Sequence, residues 1–221
     1  MSVAAHDLRN PIAVIRASAQ MAQRQVGRGD TDGAQMRLKS IVEQTDRLTE
    51  MLEGFLDAAR IGAGSLPLRP EHLDLRTVLG LAWDKARALT SEQVARDIEI
   101  DIPDGCIGNW DRTRIVRAMR ALLSNAVLYG DASTPVRVEV TRKKHRAHVV
   151  VGGGGHGPDA EEVEHLFERF YRGPTAAEAG QSGSGLGLFT ARGIARLHDG
   201  DVRHLGGDRF EMELPLLEKA T

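Results

Sequence analysis

Two apolar stripes open the chain. Leu8, Ile12, Ile15, Ala19, Ala22 and Val26 recur at alternating spacings of four and three. Leu38, Ile41, Thr45, Leu48, Leu52, Phe55 and Ala59 recur at three and four. A repeat averaging about 3.5 residues marks the seam of packed helices. Gly27-Arg28-Gly29-Asp30-Thr31-Asp32-Gly33 lies between the stripes and predicts a turn. Residues 1–62 therefore read as an antiparallel helical hairpin. Two helices alone leave much of such a seam in water, which predicts pairing with a second copy into a four-helix bundle.

The pattern changes after Ile61-Gly62-Ala63-Gly64-Ser65, a linker by composition. Residues 74–92 read as a helix with Asp74 as N-cap. Ile98, Ile100 and Ile102 alternate as a half-buried strand. Residues 111–129 read as a helix. Val136, Val138 and Val140 alternate, and 147–151 is a short apolar run, with a hairpin turn near Lys143-Lys144. Residues 159–169 and 186–198 read as helices, and Phe210, Met212 and Leu214 as a final strand. Strand pairs interleaved with helices predict an α+β sandwich over 66–217, with helices on one sheet face.

Composition narrows the function classes. The 221 residues suit one large domain or two small ones. Charged residues at 27% and hydrophobic ones at 41% argue for a globular chain rather than a disordered one. Lys and Arg total 29 against 31 Asp and Glu, so no basic excess points to nucleic acid. Cys106 is the sole cysteine, which excludes an intramolecular disulfide and cysteine-based zinc sites and fits a reducing compartment. No apolar run approaches the ~18–20 residues needed to span a bilayer. The start MSVAAHDLRN lacks a secretory pattern. The expectation is a cytoplasmic segment without membrane contact.

Two stretches carry candidate chemistry. His6 lies off the first apolar stripe and should face solvent, with Asn10 on the same face four residues on. Asp7 beside it can orient the ring or accept a proton. Pro11 should bend the helix one turn later. A lone histidine of this kind is usually a surface residue. Near the other end, Gly183, Gly185 and Gly187 let backbone amides approach an anion, and a helix starting near Leu186 points its positive end at it. The string is neither a Walker loop nor a Rossmann fingerprint. Gly173 to Ser182, rich in small residues, reads as a lid. Arg169 and Arg172 suit phosphate contact or are surface charges. Trp83 and Trp110 read as core or cap residues. The remaining histidines, His198 among them, read as solvated or satisfied rather than metal-binding.

His6-Asp7-Leu8-Arg9-Asn10-Pro11 resembles the phosphoacceptor box of bacterial sensor histidine kinases. Four further stretches match that family in order. They are Asp111 to Tyr129, Gly152 to Pro158, Leu166-Phe167-Glu168-Arg169-Phe170-Tyr171-Arg172, and Gly183-Ser184-Gly185-Leu186-Gly187-Leu188. The resemblance implies a Bergerat-type ATP-binding sandwich after the hairpin. It implies His6 as the phosphorylated nucleophile, Asp7 as its activator and Asn10 as the residue that positions a water for dephosphorylation. It implies ATP and Mg2+, with Asn125 as the magnesium ligand. Nucleotide contacts are implied from Asn125, Tyr129, Gly155, Gly157, Arg172, Gly183, Gly185, Leu186 and Gly187. The implied partners are a second copy of the chain and the receiver domain of a response regulator. Such a segment is the cytoplasmic part of a larger sensor.

The chain departs from the family at three points. Ala121 stands where a second Asn is usual, Leu128 where a Lys is usual, and Gly153 where a carboxylate reads the adenine amino group. Asp159 is too far along to substitute. A buried hydrogen bond to a charged group contributes about 1.5–3 kcal/mol, so its loss weakens ATP by roughly ten- to a hundredfold. Weak ATP binding, an altered nucleotide preference and no binding all fit this pattern. The expected activity is ATP-dependent autophosphorylation of His6 and transfer to a regulator aspartate. The rivals are an ATP-independent phosphotransferase or phosphatase, and a non-catalytic scaffold.

Overall fold

A computed structural model describes residues 3–87, 96–174 and 184–218, with side chains from residue 8 onward. Helix α1 (Val3–Val26) and helix α2 (Thr31–Gly62) form the hairpin. Helix α1 runs through Pro11 as one element. The turn is shorter than expected. Asp30 caps α2 by accepting from the Gly33 amide at 2.9 Å, so Thr31, Asp32 and Gly33 are already helical. Gly33 is buried there, and a Cβ would meet the Asp30 carboxylate at 2.2 Å.

The second unit begins with β1 (Pro70–Asp74), followed by α3 (Leu75–Arg87). Asp74 accepts from the Arg76 amide at 2.8 Å, as an N-cap should. The tail of the expected 74–92 helix lies outside the described residues. Next come β2 (Ile98–Asp101), β3 (Ile107–Asp111) and α4 (Arg112–Tyr129), capped by Asp111 through the Arg114 amide at 3.0 Å. Then follow β4 (Val136–Lys143), β5 (Arg146–Gly152), α5 (Ala160–Val163), α6 (Gly187–Leu197), β6 (Asp201–Gly206) and β7 (Arg209–Pro215). The helix expected over 159–169 is thus corrected to one turn, held by a capping box between Asp159 and Glu162.

The main sheet has the order β2-β4-β5-β7-β6, with β2 parallel to β4 and the other pairs antiparallel. Strands β1 and β3 form a separate antiparallel ribbon. Alternation decides which face is covered. Val136, Val138 and Val140 on β4, and Ala147, Val149 and Val151 on β5, are all buried. They pack with Leu75 and Leu79 of α3, Ile115, Met119 and Leu123 of α4, and Ile194 of α6. The fold is α+β, a helical hairpin followed by helices layered on one face of a mixed sheet. Among the described residues no helix is long and apolar enough to cross a membrane.

Trp110 is fully buried, and its indole N–H donates to the Pro215 carbonyl at 3.1 Å. It fills the space beside Gly108, where an added Cβ would lie 2.0 Å from the ring. Gly108→Ala is expected to destabilise the domain by about 2 kcal/mol through overpacking. Denaturant titration measures it, and an unchanged midpoint would refute the packing argument.

Candidate functional site

The segment that resembles a phosphoacceptor box lies in the first turns of α1. The side chains of His6 and Asp7 lie outside the described residues, while Asn10 is exposed. The register of the hairpin fixes the height of position 6. The Ser18 and Ser40 hydroxyls are 3.5 Å apart across the two helices. Counting back from Ser18 and onward from Ser40 by equal rises puts position 6 level with about Leu52.

That level of α2 is where the second domain docks. The Arg114 guanidinium donates to both Asp57 oxygens at 2.6 Å. Arg117 bonds Asp57 and Glu53, and Arg120 pairs with Glu50 at 2.5 Å. Three arginines at helical spacing on α4 thus face three carboxylates at helical spacing on α2. The contact is extended by Phe55 against Phe170, with ring centres 6.3 Å apart. Arg169 lies 4.7 Å over the Phe189 ring and crosses Gly62, which has no Cβ to block it. Arg169 therefore packs between the units and is not aimed at an anion.

Helix α4 also carries Asn125, half-buried, one turn beyond Ala121. The start of α6 packs against this stretch, with a Cβ at Gly187 falling 3.7 Å from the Ala121 methyl. Gly185 has φ +66°, and a Cβ would meet the Phe170 backbone at 2.6 Å. Its carbonyl accepts from the Phe170 amide at 3.0 Å, fixing the glycine string to the segment before the expected lid. Leu186 is buried and anchors the first turn. One turn on, Thr190 is 4% exposed, and its hydroxyl has no hydrogen-bond partner among the described residues. Gly183 and most of the expected lid lie outside the described residues. Among those described, Gly185, Leu186 and Gly187 lie where α6 starts beside Ala121, and Asn125 lies one turn further along α4.

The opposite end is closed by two side chains that the sequence reading missed. Arg96, 8% exposed, spreads its guanidinium across three segments. It donates to the Ala126 carbonyl at 2.6 Å at the end of α4, to Thr134 at 2.7 Å, and to Gly153 at 2.6 Å. Burial pulls its pKa below the usual value, and Asp131 and Asp208 push it back up. From the β6–β7 turn, Asp208 accepts from the amides of Gly153 at 2.6 Å and Gly155 at 3.0 Å. Nothing in the spacing announces either role, because Arg96 is 57 residues from Gly153 and Asp208 is 55. Asp131 is held below the usual carboxylate range by hydrogen bonds from the Ser133 amide and hydroxyl.

The implied glycines of this loop make close approaches within the protein. A Cβ at Gly155 would lie 2.3 Å from the Tyr129 carbonyl, and one at Gly157 (φ +77°) 1.8 Å from the Gly207 carbonyl. Tyr129 keeps 41% exposure at the end of α4. Burial raises its phenol pKa, and the Arg172 charge acts in the opposite direction. His198 is buried and satisfied at both nitrogens, accepting from the Asp111 amide at 3.0 Å and donating to the Ile194 carbonyl at 2.8 Å. Among the described residues no group of three or more His, Cys, Asp and Glu is arranged to hold a metal.

Residues 1–64 match the His Kinase A (phospho-acceptor) domain, and residues 110–218 match the histidine kinase-, DNA gyrase B- and HSP90-like ATPase family. The chain belongs to the sensor histidine kinase family. Sensor protein ChvG of Agrobacterium fabrum is 29% identical over 230 residues, covering 96% of this chain and 38% of that protein. Sensor-like histidine kinase SenX3 of Mycobacterium tuberculosis is 28% identical over 221 residues, covering 97% of this chain and 53% of that protein. The chain thus spans about two fifths to one half of these sensor kinases. The solved histidine kinase AdeS of Acinetobacter baumannii superposes with a TM-score of 0.67 at 20% identity, over 96% of this chain and 98% of that one. That likeness shows the kinase-core fold.

Proposed function

We propose that this kinase core moves the terminal phosphoryl group of ATP onto His6 and then to an aspartate on a response-regulator receiver domain. In this reading residues 1–62 are the dimerisation and phosphoacceptor unit, and 66–217 the nucleotide unit. The segment is the cytoplasmic part of a larger sensor. The observation that carries the reading is the docking of α4, which bears Asn125, along α2 at the level of position 6.

The residues fit the triphosphate half of the substrate. The Gly185–Gly187 start of α6 offers backbone amides and the positive helix end. Mg2+ arrives with the triphosphate and keeps several waters, so one amide oxygen from Asn125 suffices as a protein ligand. A nitrogen of His6 attacks the terminal phosphorus in line, the bond to the bridging oxygen breaks, and ADP leaves. Asp7 takes the imidazole proton. Asn10 positions a water that hydrolyses the phosphoaspartate of the regulator, releasing inorganic phosphate. Such transfer needs chiefly positioning and charge neutralisation.

Incubation with terminally labelled ATP and Mg2+ tests this. Acid-labile label is expected on the chain and absent from His6→Ala. Label persisting in that variant, or no label on the intact chain, would overturn the assignment.

The dimer has its own test. Ile12 is 52% exposed and Leu52 47%, both on the seam. Burying such side chains contributes about 1.5–3 kcal/mol each. The chain is expected to scatter light as a dimer, and Ile12→Glu with Leu52→Glu as a monomer. A double variant of unchanged mass would remove the seam from the interface.

A further inference from the structure

The end of the nucleotide site where the family carries a carboxylate is sealed by backbone. A Cβ at Gly153 would lie 2.2 Å from the Ala126 carbonyl oxygen and 3.1 Å from the Gly130 Cα. A Cβ at Gly130 would lie 2.6 Å from both the Gly153 carbonyl and an Arg96 nitrogen. The 153–155 loop and the last turn of α4 approach closer than any chain with side chains there could.

The amide and carbonyl of Gly153 and the amide of Gly155 are bonded inside the protein. The Gly153 carbonyl accepts from Arg96 at 2.6 Å, Thr134 Oγ1 at 2.8 Å and the Asp131 amide at 2.9 Å. The Gly153 and Gly155 amides both donate to Asp208. The guanidinium is spent as well, on Ala126, Val127, Thr134 and Gly153 carbonyls. Thus the Gly153 carbonyl, the Gly153 and Gly155 amides and the Arg96 guanidinium are already engaged and are not presented to the edge of a base. The Tyr129 ring at this end of α4 is 41% exposed and available for stacking. Stacking on an aromatic face tolerates any base, because every base has a π-face.

Adenine and guanine differ where the first has an exocyclic amine and the second a carbonyl oxygen. A carboxylate accepts from the amine and repels the oxygen. Here the Asp208 carboxylate is turned onto the Gly153 and Gly155 amides, and a site whose carboxylate is held by backbone in this way loses the contrast. We infer that this site takes nucleoside triphosphates through the triphosphate and a stacked base, without distinguishing adenine from guanine. Arg96 and Asp208 are the specificity-determining pair, since they hold the loop in the sealed state. The inference rests on the proposed kinase reading and replaces its ATP by a nucleoside triphosphate of any base.

Calorimetric titration of the full chain with the Mg2+ complexes of ATP, GTP and inorganic tripolyphosphate tests it. ATP and GTP are expected to bind within about threefold of each other, whereas a site that hydrogen-bonds a base edge discriminates far more strongly. Tripolyphosphate is expected to bind more weakly, and Tyr129→Ala to reduce both nucleotides towards it. An ATP preference above about tenfold overturns the inference and leaves the kinase reading standing, with Asp208 as the next candidate reader. Binding of neither nucleotide overturns both. Labelling of His6 from GTP at a rate comparable to ATP supports both.

Discussion

Arg96→Ala is expected to lower the melting temperature of the nucleotide unit by about 10 °C. The side chain makes charge-assisted hydrogen bonds to four carbonyls and is nine-tenths buried. Its removal leaves those carbonyls facing one another without a donor. Stranding buried polar groups after loss of a charged partner costs on the order of 3–5 kcal/mol. For a unit of this size each kcal/mol shifts the midpoint by roughly 2–4 °C. The C-terminal end of α4 also loses a cation that its dipole favours. Arg96→Lys is expected to recover under half of the loss, because one ammonium cannot reach three segments as the planar fork does. Thermal circular dichroism of both variants settles it. A shift under about 2 °C for Arg96→Ala would mean that the loop is held shut by something else.

Much of this architecture was legible because it rests on periodicity. The hairpin follows from the heptad-like stripes, α4 from the helical pattern of 111–129, β4 and β7 from strict alternation, and β5 from its short apolar run. The missing elements lack those signals. Only Leu73 of β1 is buried, and β3 includes Gly108 and Asn109, so neither reads as a strand. Strand β6 carries Arg203 and His204 within its run and bulges before Gly206. The 159–169 segment has helical composition but closes as a single turn, after which the chain passes into i to i+3 turns, with the His165 amide donating to Glu162 and the Glu168 amide to His165.

The site divides in the same way. The absence of a carboxylate at 153 can be counted from the chain, but what fills its place cannot. Arg96 and Asp208 reach Gly153 from distant segments, and single polar residues in a turn or before a strand carry no periodic signal. The hairpin-to-domain contact was hidden for the same reason. Asp57, Glu53 and Glu50 look like the solvated face of a helix until α4 is laid across them.

Asp57→Ala is therefore expected to undock the two units while leaving each folded. Asp57 is 2% exposed and accepts from both Arg114 and Arg117, whose side chains are 18% and 13% exposed. Removing the carboxylate strands two like charges three residues apart on α4, in a partly dry contact. Breaking such a buried pair from one side costs about 3–5 kcal/mol. That raises the undocked population by on the order of a hundredfold or more. Glu50 serves as the control. It stays 35% exposed, so Glu50→Ala is expected to cost under about 1 kcal/mol. Spin labels on exposed positions of α2 and α3 report the separation, and small-angle scattering reports the radius of gyration. Broadened distances and an expanded particle for Asp57→Ala, with unchanged melting of the sandwich, are the expected pair of results. An unchanged distance distribution would show that Phe55, Phe170 and Arg169 hold the units together without the ion pairs. A collapse of melting as well would show that the hairpin contact is part of the fold of the nucleotide unit rather than a joint between two.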